Sequence, residues 1–348
     1  VARLPKDKDF VETKEGLLFT IVGYLHPPDA YTAYLKYRPN KKGKWEREGV
    51  HYKRMMQVYS AAEVQSSSNW LLENHPEYIQ LDPVRGIKLP LVPWENIVAY
   101  YLPEVRLAEI LRNPQDPLES KVKALVTLLS EASDVDVTRF GISGSILLEM
   151  HNPMFSDIDL LVYGQENAQR IRSVMDELFG ENKVKPYSGE EVQAWQLRQV
   201  RTLGVPARYA EQIAWSHWQR GRFSQTAFSI TPVRMDGEIM NQYGSETYSP
   251  VESVEFTATI VEDEANLFVP ARYLVSDIKM EEGYAELPAL TEVISFEGVF
   301  STVFHKGDKV RIRGMVEAIR DESGNVLRNH VIVGTLSTQG WIVRITSS

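Results

Sequence analysis

Asp157 and Asp159 are the residues of this 348-residue chain whose type and spacing point most directly to chemistry. They lie two apart among Ile158, Leu160, Leu161 and Val162, the composition of a buried strand, where period-two alternation puts both carboxylates on one face. Two adjacent carboxylates in such a setting are costly without a cation. Upstream stands Gly144-Ser145. A glycine before a helix lets backbone N–H groups approach a phosphate without an intervening side chain, and Ser145 adds a hydroxyl. The eleven residues 146–156 suffice for a short helix and a return loop, so the carboxylates would come to lie beside bound phosphates, where two divalent ions could bridge them.

The surrounding pattern supplies elements able to hold such a site. A strand is expected over 135–143, a helix over 146–150, a breaker at His151-Asn152-Pro153 and the aspartate strand over 157–163. A helix over 165–179 follows, with Ala168, Ile171, Met175 and Leu178 on one face and Gly180 as its stop. Ahead of this unit, Asn113-Pro114-Gln115-Asp116-Pro117 marks a boundary and a helix start. Asp116 suits the N-cap, Pro117 the first helical position and Glu119 the capping-box position; Val122, Leu125, Leu128 and Leu129 then form an amphipathic stripe to about Ser133. Further helical material runs to about Gly221, and 226–233 is a strand able to complete the sheet.

On these residues the segment 116–245 resembles the DNA polymerase β-like nucleotidyltransferase superfamily, whose pattern is Gly-Ser, a helix, then Asp-x-Asp on the next strand. The part that carries the likeness is Gly144-Ser145 with Ser156-Asp157-Ile158-Asp159-Leu160. The resemblance implies that Asp157 and Asp159 are catalytic and hold Mg²⁺ or Mn²⁺, and that Gly144, Ser145 and Ser156 bind the phosphates of a nucleoside triphosphate. An acceptor hydroxyl would then attack the α-phosphorus and expel pyrophosphate.

The family pattern usually adds a third carboxylate on a later strand, and here the sequence departs from it. The strand 226–233 reads Thr-Ala-Phe-Ser-Ile-Thr-Pro-Val, without an acid. Asp236 and Glu238 lie just beyond it and Glu255 heads the next strand; Asp236 and Glu255 are the candidates for the third position. Two functions stay open. One is metal-dependent transfer of a nucleoside monophosphate to a hydroxyl of an RNA or protein acceptor. The other is a catalytically weak or inactive nucleotide- or nucleic-acid-binding protein that keeps the fold. A repair polymerase is disfavoured, since no paired helix-hairpin-helix glycine motif is present. His151 sits between the two halves of the motif, either to contact phosphate or acceptor or as a satisfied loop histidine.

The flanks differ from the centre. The fold class expected is α+β and multidomain: an N-terminal α/β accessory domain over 1–114, a central nucleotidyltransferase-type mixed sheet with helices over 115–242, and a β-rich domain over 243–348, a small antiparallel barrel or sandwich. In the first block, strands are expected over 17–25 and 32–37 and helices over 60–73 and 94–111. In the last, six short β-rich runs from 255 to 345 are separated by Gly, Asp, Asn and Ser turns. An oligonucleotide-binding barrel is one candidate, against which its acidic first half weighs.

Composition narrows the classes. The formal charge of −9 excludes a chain that coats nucleic acid with its whole surface. Much of the deficit lies between Glu252 and Glu297, where many acids face only Arg272 and Lys279. Two basic islands stand out. In 35–54, Lys36, Arg38, Lys41, Lys42, Lys44, Arg47, Lys53 and Arg54 are interleaved with Tyr37, Trp45 and Tyr52. In 195–222, Arg198, Arg201, Arg208, Arg220 and Arg222 accompany Trp215 and Trp218. Such islands suit a nucleic-acid backbone with exposed bases, or equally a solvated hairpin and a helical core. The absence of cysteine leaves oxygen or imidazole as metal donors. No apolar stretch is long enough for a bilayer, and the first residues lack a signal-peptide core, so a cytoplasmic protein without a membrane partner is expected.

Overall fold

Strand pairing divides the molecule into three sheets, seen in a computed structural model that describes residues 3–56, 61–213, 215, 218–282, 290–335 and 339–345. Architecture is mixed α and β. Among the described residues no helix is long and apolar enough to cross a membrane.

The N-terminal sheet runs in the order Trp45–Arg47, Val50–Arg54, Ala30–Pro39, Leu18–Ile21, Phe10–Thr13, Ile97–Tyr101, with the hairpin Ile79–Asp82 and Ile87–Pro93 attached to the start of Ala30–Pro39. Its pairings are antiparallel, so the sheet lacks the parallel crossovers of the α/β domain expected from the sequence. Alternation splits it into two faces. Val11, Phe19, Ile21, Ala33 and Leu35 pack under the helix Ala61–Asn74 through Leu71, whereas Phe10, Leu18, Tyr37 and Tyr52 face the central domain and bury Leu147, Leu148 and Met150. The helix expected over 94–111 starts only at Pro103, the first residue of Pro103–Arg112. Residues before it, Ile97 and Val98 among them, are taken by the sheet edge, where Tyr101 pairs with Phe10 and Tyr100 with Val11.

In the central sheet the order is Arg220–Phe223, Thr226–Val233, Ile158–Tyr163, Phe140–Ile142. Ile158–Tyr163 and Thr226–Val233 are parallel; the two outer strands run against them. Ile158, Leu160 and Val162 point to a core shared with the helices Pro117–Ser133 and Gln165–Gly180 through Val122, Leu125, Ile171 and Met175. Leu107 and Ile110 lie in the same core, so the helix Pro103–Arg112 belongs here although it precedes residue 114. Asp116 caps Pro117–Ser133, accepting from the backbone N–H of Leu118 and Glu119.

In the C-terminal sheet the strands Thr247–Glu262, Ala271–Glu282, Leu290–Ser295, Val326–Val333 and Lys309–Arg320 pair in that order, and Lys309–Arg320 pairs back onto Thr247–Glu262. Trp341–Arg344 is added beside Lys309–Arg320. The expected antiparallel arrangement is broken at one place: Leu290–Ser295 and Val326–Val333 run parallel, because Lys309–Arg320 intervenes between them in the chain and restores the direction. The helix Gly189–Leu203 leans on this core rather than the central one, through Leu203, Trp195 and Val200.

Candidate nucleotide and metal site

The aspartate strand has two unlike faces, and the site lies where its polar face emerges from cover. Farther along the strand, Leu161 and Tyr163 share that face and are covered with Val233 by Tyr24 and Met235. Asp157 and Asp159 lie before this cover begins; Asp157 is exposed and Asp159 half-buried.

Gly144 and Asp159 are fitted to each other. Gly144 has φ +64°, and a Cβ placed there would stand 2.4 Å from Asp159 Oδ2. The Ser143 N–H donates to the Asp159 carbonyl at 2.8 Å and ties the turn to the strand. Gly144–Leu147 is a single helical turn, shorter than the helix expected from the sequence. Ser145 is buried, and its Oγ lies 3.4 Å from Ser156 Oγ, which also accepts from the Asn152 N–H at 2.9 Å. The turn and the return loop therefore bring Gly144, Ser145, Ser156, Asp157 and Asp159 into one constellation.

Electrostatics sets the two carboxylates against each other. The Asp159 carboxylate, followed by partial enclosure, pushes the Asp157 carboxyl up to about 6, against the pull of Arg54 and Lys36. Both cations come from the N-terminal sheet. Lys36 is buried in Ala30–Pro39, and burial together with Arg54 and Lys8 pushes its ammonium down to about 7 while Asp159 acts in the opposite sense. A second basic wall comes from the central sheet. Arg220 pairs with Ser229, and Ser229 with Asp159, so the three stand in a row across three strands. Burial pushes the Arg220 guanidinium below its usual range, with Tyr187 and Asp159 favouring its charge. Tyr187 carries Arg222 5.4 Å from its ring centroid, lies 5.6 Å from Trp215 and feels Asp157.

Neither candidate for the third carboxylate reaches the pair. Asp236 follows the far end of Thr226–Val233; since that strand is parallel to the aspartate strand, it lies on the order of 20 Å along the sheet from Asp159. There it pairs with Lys6 at 2.9 Å. Glu238 accepts from the N–H groups of Gln165 and Met235. Glu255 belongs to the C-terminal sheet and faces Arg311 and Arg313 at 3.5 and 4.0 Å. Opposite Asp159 stands Ser229, whose Oγ donates to Asp159 Oδ1 at 2.7 Å.

A second group with metal-binding atoms, Asp116, Glu119 and His151, lies in the same domain. Its carboxylate oxygens are engaged within the fold, while His151 Nδ1 is buried with no hydrogen-bond partner among the described residues. His151 Nε2 meets Asp116 Oδ2 at 2.7 Å, Asp116 Oδ1 caps its helix, and Glu119 accepts from the Gln115 N–H and pairs with Arg106. His151 thus anchors the return loop.

Sequence reasoning missed Lys36, Arg54 and Arg220 as neighbours of the aspartates, and missed Ser229 and Tyr187 altogether. A lysine between Leu35 and Tyr37 in a strand was the available signal, since such a charge needs a partner. Nothing local announces the others.

No family model matches this chain. No solved structure matches it. A protein of Methanocaldococcus jannaschii, MJ1086, itself described as uncharacterized, is 27% identical over 335 residues, covering 94% of this chain and 95% of that relative. Both flanking sheets therefore align along with the central segment.

Proposed function

We propose that this chain is a metal-dependent nucleotidyltransferase that moves a nucleoside monophosphate from a nucleoside triphosphate to a hydroxyl of an RNA or protein acceptor, releasing pyrophosphate. One observation carries the reading: two mutually repelling carboxylates, Asp157 and Asp159, are fitted against a positive-φ Gly144 and lie under the influence of Lys36, Arg54 and Arg220. Two acids ask for a cation, and the positive field around them suits an anion. A triphosphate with its divalent ion answers both.

The donors offered are oxygens only, two carboxylates with the Ser145 and Ser156 hydroxyls on the adjoining turn and loop, which suits magnesium or manganese. When bound, such an ion supplies charge neutralisation for the triphosphate. Lys36 and Arg54 would hold the negative charge that gathers on the leaving pyrophosphate. The acceptor oxygen forms a bond to the α-phosphorus, the bond from that phosphorus to the pyrophosphate oxygen breaks, and the hydroxyl proton passes to water. Ser229 holds Asp159 in its orientation. In the flank, strand pairing that returns on itself supports a small barrel of the oligonucleotide-binding type.

A second reading, a nucleotide binder with little turnover, is favoured by Ser229, which stands across from Asp159 on the neighbouring strand where an acid would complete the site. Incubation with each α-labelled nucleoside triphosphate, Mg²⁺ or Mn²⁺, and mixed cellular RNA and protein separates the two. Transfer of label that Asp157→Asn abolishes supports the enzyme. Nucleotide binding without transfer to any acceptor selects the binder.

A further inference from the structure

The basic island over 35–54 divides in the fold. Lys36 and Arg54 act on the aspartates through their charge, whereas Asn40, Lys42, Lys44, Trp45 and Lys53 line a cavity of about 440 Å³ that Arg54 also borders. Among the described residues no carboxylate lines it. Among the described residues Lys41, Lys42, Lys44 and Lys53 make no ion pair, while Arg47 of the same hairpin is held by Glu12 at 2.7 Å. Exposed lysines gathered around one opening repel one another, and an anion relieves that repulsion.

Aromatic faces continue the surface towards the aspartates. Trp45 is half-buried, braced from behind by Tyr37 at 5.6 Å between ring centroids. The Lys44 ammonium sits 3.8 Å from the ring centroid of Phe155, which is 45% exposed although it belongs to the return loop just before Asp157. Lysines, an indole, a phenyl ring and then Arg54 thus form a continuous strip that ends at the carboxylate pair. A ligand that carries one negative charge and one flat ring per repeat matches the strip. An acidic peptide would satisfy the lysines and leave both rings unused. A duplex keeps its bases stacked inside and presents none to Trp45.

We propose that this strip is an acceptor groove for the 3′ end of a single-stranded nucleic acid. Its phosphates lie along Lys42, Lys44 and Lys53, its bases stack on Trp45 and Phe155, and its terminal hydroxyl faces the Asp157–Asp159 pair. Delivery of that hydroxyl rests on the transfer reading above; the groove itself does not.

Fluorescence anisotropy with the full chain and a fluorescein-labelled single strand of about twelve nucleotides, without triphosphate or divalent ion, tests the groove. Binding should weaken with salt. Replacing Lys42 and Lys44 together by Ala should flatten the log–log salt slope by about 1.4, roughly 0.7 for each phosphate no longer neutralised. Phe155→Ala, at an exposed ring, and Trp45→Ala should each weaken binding roughly tenfold, with Trp45→Phe restoring most of the loss. Lys183→Ala, in the turn beyond the helix Gln165–Gly180, should change nothing. Absence of single-strand binding at low salt overturns the groove, as does binding indifferent to all of these substitutions, or tighter binding of a duplex or of a polyglutamate peptide. Strand binding without label transfer leaves the groove standing and removes the transfer reading. Label transfer without strand binding does the reverse.

Discussion

Two groups of acidic side chains lie in the central domain and are held in opposite ways. Around Asp116, Glu119 and His151, helix capping, a histidine and Arg106 use up the acceptor oxygens. Around Asp157 and Asp159, the Asp159 carboxylate pushes the Asp157 carboxyl up, and Arg54 and Lys36 pull against it. The first group is held by the fold's own donors, with only its His151 Nδ1 buried without a hydrogen-bond partner among the described residues. In the proposed function a ligand completes the second. Both look alike as lists of residue types; the difference lies in whether backbone donors converge on them.

The contrast can be broken by substitution. Asp159→Asn should lower nucleotidyl transfer by roughly 100- to 1,000-fold with little change in melting temperature. Asp116→Ala should do the opposite, costing about 1–2 kcal/mol of stability with transfer retained at temperatures where the chain is folded. Equal loss of transfer in both variants, read by label transfer beside thermal melts, would erase the distinction. Gly144→Ala should strike both properties, because the added Cβ meets Asp159 Oδ2 and φ +64° is strained for alanine; about 1–3 kcal/mol of stability should go, together with divalent-ion binding. Calorimetric titration of Mg²⁺ or Mn²⁺ into the variant checks it.

Ser229→Asp sharpens the comparison from the other side. It would set a third carboxylate directly across from Asp159, so divalent affinity should rise by about tenfold while the ion-free protein melts earlier. Unchanged affinity would show that position 229 does not face the ion. An effect on stability alone concerns a carboxyl outside both groups. Burial pushes Glu297, which accepts from the Ala61 N–H at 2.8 Å, up to about 7. Its folded value is raised, so its contribution to stability is present below the ordinary glutamate range and lost as pH rises through about 7. Glu297→Gln should therefore match the parent near pH 4 and exceed it at pH 8 by about 1–3 kcal/mol, read from melting curves at the two values.

The C-terminal sheet teaches a related point about fold and surface. Its pairings return on themselves, yet between Glu252 and Glu297 many acids face only Arg272 and Lys279. The basic, aromatic surface instead belongs to an N-terminal hairpin that nothing in its strand order would single out. Strand order does not fix surface chemistry.

By itself the sequence determined what depends on neighbours a few residues away. Alternation put Asp157 and Asp159 on one face of a strand, Asp116 and Pro117 opened a helix, and the apolar spacing of Ala168, Ile171, Met175 and Leu178 defined another. These follow from backbone periodicity and local hydrogen bonds, which a chain carries wherever it folds. Tertiary structure decided the rest. It took Ile97–Tyr101 from a helix-like stretch into a sheet edge, brought Lys36 and Arg54 to a pair of aspartates more than a hundred residues away, and set Ser229 opposite Asp159 while sending Asp236 to the far end of the sheet. Which strands pair, and in which direction, is settled by burial of whole faces against one another, and no short window of sequence contains both partners.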